Sequence, residues 1–358
     1  MSVGIGQLKR QQMNDLREFL RTTYPNNQRK SDPRFLNWYF LKNPNVNPES
    51  IPLWIAVDNG RIVGQLATIP VELKVGTTKA DAIWILEFIL LPEYRGRGLG
   101  KQMVIAAQEK YPTMITLGIN EASTRVFDSL GWSPMGSIHR YHKLLYAGNA
   151  AGKFSKLGLV RHGLNFLSAP LRISIGRQGH AAEYEIKHTS TLDPSFDELW
   201  TEACNQWPCS VHRDSRFVSW QFVEQPGKRF EFLFLFKRAK LVGYAALFFR
   251  SIASSDHPPK AAISDLVYAP DCPDETVDIL VESGLDIAIQ RRTGGLVTDI
   301  LDGRAEASLL RHGFRQIKKS PRFMACTNEY KDLLYKPENW YLTRADSDVS
   351  IFEEPNVA

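Results

Sequence analysis

The chain has 358 residues and a formal net charge of +5, and 43% of its residues are hydrophobic. That length allows two domains, and the hydrophobic content is enough for a core in each, which argues against a disordered chain. The N-terminus lacks the apolar stretch of a signal peptide, and no apolar run approaches the roughly 20 residues of a spanning helix. The sequence therefore predicts a cytoplasmic protein without a transmembrane segment.

The four cysteines do not form a metal-binding pattern. Cys204, Cys209, Cys272 and Cys326 include no C-x-x-C pair, and no histidine lies at zinc-like spacing from them. We therefore expect reduced thiols and no metal in the function of this chain.

An aromatic helix occurs twice along the chain. DPRFLNWYF (32–40) and DSRFVSWQF (214–222) are identical at five of nine positions, and each precedes two strand-like runs joined by a polar turn. Further on, NEASTRVFDSLGW and DGRAEASLLRHGF align in the same order. Two copies of one fold explain this repetition more economically than chance similarity of aromatic helices.

The charge is concentrated between the two copies. Residues 129–182 contain no Asp or Glu but seven Lys and Arg, and small flexible residues begin near residue 147. We expect a first domain at 1–147, a basic linker at 148–182 and a second domain with a C-terminal tail at 183–358. The linker suits an anionic acceptor, an anionic membrane surface or plain solvent exposure, and its glycines weaken it as a stable helix. Elsewhere basic and acidic residues balance, so a nucleic-acid partner is not expected.

A glycine-rich turn follows the apolar run WILEFILL in the first copy. PEYRGRGLGKQM (92–103) lies between a predicted strand and a predicted helix, where backbone N–H groups can converge on a diphosphate at the helix N-terminus. Glycine also serves ordinary tight turns, so the turn alone is a weak signal. A P-loop is excluded because Gln102 stands where Ser or Thr is needed, and a dinucleotide fold would place the turn at the start of a βαβ pattern.

Two motifs in this copy resemble the GNAT (GCN5-related) N-acetyltransferase superfamily. LLPEYRGRGLG is similar to its acyl-CoA-binding signature, and ITLGINEASTRVFDSLGWSPMG is similar to the block that follows it. The resemblance implies an α+β fold with a mixed sheet, in two tandem GNAT-like copies, and CoA bound by the turn amides beside the end of the preceding strand. The residues it assigns to acyl-CoA are Leu90, Leu91, Arg95, Gly96, Arg97, Gly98, Leu99, Gly100, Lys101, Asn120, Ser123 and Phe127.

The second copy lacks this chemistry. Opposite the turn stands APDCPDETVDI, which puts Pro273, Thr276 and Asp278 where the first copy has Arg95, Gly98 and Gly100. Negative charge would gather where a diphosphate should bind. We therefore expect acyl-CoA in the first copy alone.

Glu87 and Tyr141 are the candidate catalytic residues. Glu87 interrupts an apolar strand, so it is either a base for the attacking amine or a carboxylate satisfied by a neighbouring strand or an arginine. Asp265 at the equivalent place in the second copy favours the structural alternative. Phe127 stands where many relatives have a proton-donating Tyr, which leaves Tyr141, water or unassisted departure of the thiolate.

The resemblance implies an N-acyltransferase that uses acetyl-CoA or another acyl-CoA as co-substrate. The acceptor is a small primary amine that attacks the thioester directly. NWYLTRADSD (339–348) resembles the endings of tandem GNAT-like proteins of bacterial surface-polysaccharide synthesis, which implies an amino sugar or a sugar-linked amine. We expect this acceptor between the copies, with its amine directed at Glu87 and its anionic part on residues among Arg140, Lys143, Arg161 and Arg172. The oligomeric state stays open.

Two alternatives accompany this reading. A non-catalytic CoA-binding or assembly protein would also explain Phe127. A Fem-like aminoacyl transferase also uses tandem GNAT-like domains, but such proteins generally lack an intact CoA turn, and this chain has one.

Overall fold

The structure is a computed structural model that describes residues 3–47, 49–150, 158–172, 183–250, 260–318, 321–346 and 350–351. Parts of the predicted linker (151–157 and 173–182) and Asp348 lie outside these residues. The helices and strands of the first half are β1 (Gly4–Gln7), α1 (Met13–Thr23), α2 (Pro33–Leu41), β2 (Leu53–Asp58), β3 (Arg61–Val75), β4 (Thr78–Leu90), α3 (Leu99–Gln108), β5 (Met114–Leu117), α4 (Glu121–Asp128), β6 (Ser133–Ser137), β7 (His139–Leu144), α5 (Ala147–Ala150) and α6 (Gly158–Leu167).

The second half has a similar order of helices and strands, with one additional short strand between its first two helices. Its elements are β8 (Tyr184–Thr189), α7 (Phe196–Ala203), β9 (Cys209–Val211), α8 (Ser215–Val218), β10 (Phe230–Lys237), β11 (Lys240–Arg250), β12 (Lys260–Tyr268), α9 (Glu275–Gln290), β13 (Gly295–Leu301), α10 (Gly303–Arg311), β14 (Arg315–Ile317), β15 (Arg322–Cys326), α11 (Lys331–Leu334) and β16 (Trp340–Thr343). The predicted α+β class is confirmed, since antiparallel and parallel strand pairs share one mixed sheet.

The two halves exchange one strand each. In the first half the order is β4-β5-β15-β6, so that β15 from the far end of the chain pairs with β5 and β6. In the second half β7 lies between β13 and β14 and pairs antiparallel with both. The strand pairing thus crosses the expected boundary at residue 147, and the division of the chain into 1–147, 148–182 and 183–358 stays a prediction.

The repeated aromatic helices contact each other at the centre of the molecule. The indole Nε1 of Trp38 donates to the carbonyl of Trp220 at 2.7 Å, and the indole of Trp220 donates to the carbonyl of Trp38 at 3.0 Å. The two rings stack with centroids 5.0 Å apart. Because each indole satisfies a backbone carbonyl of the other helix, the contact has an approximate two-fold relation and holds the halves in one orientation.

A helix within the predicted linker is a finding that the sequence did not suggest. α6 forms despite its glycines because its C-terminal end contacts α5: the amide of Gly148 donates to Asn165 at 2.8 Å, and that of Ala147 donates to Ser168 at 3.1 Å. These tertiary hydrogen bonds outweigh the low helix propensity of glycine.

Candidate active site

The second part of β4 departs from regular pairing at a bulge. Glu87 pairs with Ala67 of β3 and Ile85 pairs with Thr68, so Leu86 has no partner residue on β3. A bulge of this kind bends the strand and re-aims the side chains beyond it. Glu87 is the first residue beyond the bulge.

β4 and β5 separate at the same point. The strands pair in parallel from Ile83 to Ile85, and the Thr116 hydroxyl donates to the Ile85 carbonyl at 3.1 Å. β4 then continues to Leu90, whereas β5 ends at Leu117. All residues from 86 to 90 are only half-buried, although side chains on a strand alternate between its faces. Both faces of this segment are therefore accessible beside a cleft between the strands.

The glycine-rich turn leads from this cleft into α3. Gly96 and Gly98 have φ values of 74° and 77°, a region that other residues rarely adopt, and Gly98 is the N-cap of α3. The first helical hydrogen bond runs from the Gln102 amide to the Gly98 carbonyl, so the amides of residues 99–101 precede it and have no helical acceptor. A Cβ at Gly96 or Gly98 would contact nothing within 4 Å, so the space in front of this turn is open.

Gly100 has a different role from the two glycines before it. A Cβ there would lie 2.7 Å from Cζ of Phe88 on β4, closer than real Cβ contacts allow. Glycine is thus required for close packing of α3 against the strand, and Leu99 is buried beside it. The glycines of the turn therefore meet two physical requirements: Gly96 and Gly98 allow its backbone conformation, and Gly100 allows the close packing of α3.

The basic side chains of the turn are exposed and directed along its surface. Arg95 Nε donates to the Leu90 carbonyl at 3.0 Å, and Lys101 Nζ donates to the Ser129 carbonyl at 3.2 Å. The Arg97 guanidinium lies 5.2 Å from the ring centroid of Tyr94. No ion pair with a described carboxylate involves any of the three, so their charge is available to an anion.

The second motif builds the wall of the cleft. Asn120 caps α4, where its side chain accepts from the Ser123 amide at 2.9 Å. Phe127 is fully buried, with ring centroids 4.5 Å from Trp132 and 6.0 Å from Phe88. These contacts connect α4 to the strand that carries Glu87. In the structure these three residues form structural contacts, and their assignment to acyl-CoA stays a prediction.

Glu87 is held by two residues that the sequence reasoning missed. Its carboxylate accepts a hydrogen bond from the Tyr24 hydroxyl at 3.0 Å and forms an ion pair with Lys30. Lys30 Nζ also lies 4.0 Å from the Tyr24 ring centroid. The Glu87 and Lys30 side chains keep 9% and 13% of their exposure, so solvent reaches the group. A signal for Lys30 existed, since in both copies a cation shortly precedes the repeated Asp of the aromatic helix.

Tyr141 does not lie with Glu87. β7 carries it into the sheet of the second half, where it pairs with Thr298 and its hydroxyl donates to Glu306 at 2.8 Å. Burial and the Glu306 carboxylate raise the pKa of Tyr141 well above its ordinary value. The structure thus gives this residue a partner in the second half, and the strand exchange is the physical reason.

The second half has the same bulge but a filled cleft. Asp265 pairs with Ala246 and Ile263 pairs with Leu247, which leaves Ser264 without a partner, and the Thr298 hydroxyl donates to the Ile263 carbonyl at 2.9 Å. Beyond this point β16 pairs with β13 at Ile300 and Leu301, and the residues from 264 to 268 are all buried. The chain itself occupies the space that stays open in the first half.

The carboxylate of this second cleft is enclosed in a charge cluster. Asp265 accepts from the Thr343 hydroxyl at 2.7 Å and lies 3.3 Å from Arg213, which also pairs with Asp346. All of these side chains are buried. At the surface, Asp274 pairs with Arg304 and Asp278 with Arg311, both at 2.9 Å, so the acidic residues opposite the glycine-rich turn are neutralised by arginines.

Three described cations of the basic stretch make structural contacts, whereas the sequence placed them in the acceptor site. Arg140 forms an ion pair with Asp299 of β13, and buried Lys143 donates to the His312 carbonyl at 2.7 Å. Arg172 donates to the Leu145 carbonyl at 3.2 Å and lies 4.3 Å from the Tyr146 ring centroid. These cations hold β7 and its continuation in the second half, so the structure does not offer them to an acceptor beside Glu87.

Two absences apply to the described part of the chain. No cluster of three or more His, Cys, Asp or Glu in the described ranges has an arrangement suited to a metal ion. Of the described helices, none combines the length and the apolar character that crossing a membrane requires.

Comparisons with known proteins agree with the fold. Residues 13–132 match the profile of the acetyltransferase (GNAT) family, and no curated protein matches the chain. A probable N-acyltransferase of Enterococcus faecalis V583 superposes with a TM-score of 0.62 at 12% identity, over 93% of this chain and 75% of that one. A GCN5-related N-acetyltransferase of Anabaena variabilis gives 0.61 at 14% identity, over 94% and 75%. Saccharomyces cerevisiae N-myristoyltransferase with bound myristoyl-CoA gives 0.60 at 11% identity, over 91% and 82%. The predicted pair of GNAT-like folds is confirmed.

Proposed function

Because residues 13–132 match the profile of the acetyltransferase (GNAT) family, we propose that the chain is an acyl-CoA-dependent N-acyltransferase with one active half. The observation that carries the proposal is the open cleft between β4 and β5, which runs from the bulge at Leu86 to the turn at Gly98. A long thin ligand with an anionic end fits this combination, because the cleft is accessible along its length and the helix amides lie at one end of it.

The diphosphate of CoA is proposed to bind the amides of residues 96–101, with Arg95, Arg97 and Lys101 adding positive charge. The pantetheine arm then lies along the accessible edge of residues 86–90, where strand amides and carbonyls can pair with its amide groups. This arrangement places the thioester near the bulge and Glu87.

Acyl transfer from this geometry needs one base. The neutral amine attacks the thioester carbonyl carbon, a C–N bond forms, the C–S bond breaks, and the nitrogen loses one proton. We assign that proton to the Glu87 carboxylate, which Tyr24 and Lys30 hold in place. The leaving thiolate then takes a proton from water, because Phe127 carries no donor and Tyr141 is bonded to Glu306.

A short acyl group is proposed, with acetyl-CoA as the donor. The cavity beside Leu86 has a volume of only about 10 Å³ and is walled by Trp84 and Phe217. A volume of this size is about that of one water molecule, so this cavity does not hold a long acyl chain. The segment that suggested an amino sugar is accounted for by packing, since residues 340–346 fill the second cleft. Amino sugars therefore enter as one class among the small amines to be tested.

The test uses the full-length protein. Calorimetry with CoA is expected to give one site per chain, and release of free thiol from acetyl-CoA is expected to depend on an added amine. A panel of amino sugars, sugar nucleotides and simple amines identifies the acceptor class. Binding without amine-dependent thiol release would instead support a non-catalytic CoA-binding protein, and a stoichiometry of two would contradict the assignment of one active half.

A further inference from the structure

A basic pocket adjoins the Glu87 cluster through Tyr24. It has a volume of about 530 Å³ and lies between α1 and the turn before α2, with Arg17, Arg21, Tyr24 and Arg29 among its lining residues. Tyr24 belongs to both places, because it lines the pocket and its hydroxyl donates to Glu87. A molecule in this pocket would therefore lie next to the proposed base.

The arginines of the pocket lack carboxylate partners among the described residues. Arg17 donates to the Ser31 carbonyl at 3.3 Å and to the Asn14 amide oxygen at 3.4 Å. Arg21 follows one helical turn later on the same face of α1 and is exposed. The one acidic residue of the lining, Asp32, is already paired with Arg34 at 2.9 Å. The pocket thus has an excess of positive charge.

Arg29 is the most enclosed of the three cations. Its terminal nitrogens donate to the carbonyls of Ile351 and Pro226, and its Nε is buried without a hydrogen-bond partner. Burial lowers the pKa of Arg29 to about 10, although Asp32 acts in the opposite direction. Neutral carbonyls and the Phe35 ring, whose centroid lies 4.3 Å from the guanidinium, hold Arg29 in place. Asp32 compensates its charge only in part, because this carboxylate is paired with Arg34, and an anion in the pocket would complete the compensation.

We propose that this pocket binds the anionic group of the acceptor, so that the acceptor is a small primary amine carrying a carboxylate or a phosphate. The inference rests on the proposed acyltransfer, because it assigns the amine end to Glu87 and the acidic end to Arg17, Arg21 and Arg29. The guanidinium fork of arginine matches both oxyanions, so carboxylate and phosphate are one chemistry at this stage. The site replaces the basic linker as the source of selectivity for a charged acceptor.

The experiment compares amines in matched pairs, with acetyl-CoA and thiol release as the readout. γ-Aminobutyrate is paired with butylamine, and the phosphate ester of glucosamine with glucosamine. The wild type is expected to have the higher kcat/KM for the acidic member of at least one pair. The pair that shows this difference identifies the preferred anionic group as a carboxylate or a phosphate. Equal use of both members in both pairs would overturn the proposal.

Arg21→Gln is the diagnostic variant, because Arg21 is exposed and its loss should not disturb folding. The ratio of kcat/KM within the responding pair should fall about 10-fold, the loss expected for one hydrogen bond to a charged group. Arg315→Gln, an exposed arginine on β14 of the second half, removes the same charge and should keep the ratio. An equal fall of the ratio in both variants would mean that net charge, and not this pocket, causes the preference for the acidic amine. That result would overturn the proposed site.

A binding measurement separates this inference from the proposed function. Inorganic phosphate is titrated into the full-length protein and into both variants without acyl-CoA. If no amine is acylated but Arg21→Gln weakens phosphate binding and Arg315→Gln does not, the acyltransfer proposal fails and the anion site stands. If phosphate binding does not depend on Arg21, the anion site is wrong whatever the enzyme assay shows.

Discussion

The two halves contain the same bulged strand, yet only one of them keeps an open cleft. In the first half, residues 86–90 are half-buried beside the gap between β4 and β5, whereas the equivalent residues 264–268 are buried under β16. The hydroxyls of Thr116 and Thr298 hold the base of each cleft in the same way. A fold can thus keep its geometry while a short segment of its own chain takes the place of a ligand.

The two carboxylates beyond the bulges illustrate the same difference. Glu87 and its partner Lys30 keep contact with solvent, while Asp265 lies with Arg213 in a fully enclosed cluster. An accessible carboxylate can exchange protons with a substrate, and an enclosed one contributes to structure. Four experiments test this contrast, in order of the expected effect.

Removal of Asp265 should affect stability most. Asp265→Ala leaves a buried guanidinium with one carboxylate fewer, which should lower the free energy of unfolding by about 3–5 kcal/mol. Glu87→Ala should cost less, because Lys30 retains access to water. Urea unfolding of both variants gives the comparison, and equal losses would remove the distinction between the two sites.

Gly98 should control CoA binding. Gly98→Val forces a β-branched residue to a φ of 77° and displaces the turn; loss of two hydrogen bonds to the diphosphate should weaken binding roughly 100-fold. Gly313→Val is the matched control, because Gly313 has the same φ but lies in the second half. Calorimetry with CoA measures both, and a similar loss in the control would indicate general destabilisation.

Glu87→Gln should slow turnover by about 100-fold while acetyl-CoA affinity stays nearly unchanged, since Gln keeps the shape but cannot accept the proton. Steady-state thiol release and CoA binding are measured on the same preparation. Full turnover with a lowered unfolding temperature would mean that Glu87 serves only as the partner of Lys30.

The enclosed cluster should also give the second half a response to pH. Asp265 and Asp346 share one arginine, and burial raises the pKa of Asp346 to about 6. Because the folded state then binds a proton more tightly than the unfolded chain does, this group contributes stability below about pH 4 and loses it as the pH rises through about 6. Relative to Asp346→Asn, the wild type should gain about 1 kcal/mol between pH 7 and pH 5. A constant difference between the two unfolding curves would contradict this.

Local signals in the sequence were sufficient for the fold class and the glycine-rich turn. The strand, the positive-φ glycines and the helix start near Gly98 depend on residues close together in the chain, and the repeat was visible in its aromatic helices. The sequence identified Glu87 as a carboxylate in an apolar strand. Whether this carboxylate only pairs with Lys30 or also acts on a substrate depends on contacts that hydrophobic periodicity does not encode.

Partners far apart in sequence could not be predicted. The residue pattern of β7 is that of a strand whichever sheet it joins, so the sequence does not indicate which strand lies next to it. Tyr141 was therefore expected beside Glu87, whereas β7 carries it to Glu306 of the second half. Likewise, nothing in the sequence of β16 indicates that it lies in a cleft rather than on an outer edge.

The strand exchange also determines when the molecule can be complete. Thr113 and Thr327 are hydrogen-bonded although they are 214 residues apart, so the first sheet is complete only after a strand far along the chain has been made. Until then β5 and β6 have unpaired edges that invite wrong association, and contacts of such long range slow folding. Once folded, the halves hold each other's strands, so a cut in the backbone between β7 and β8 would leave them joined. The protein thus consists of two copies in sequence, but the two halves must fold together, and one backbone cut between them does not separate them.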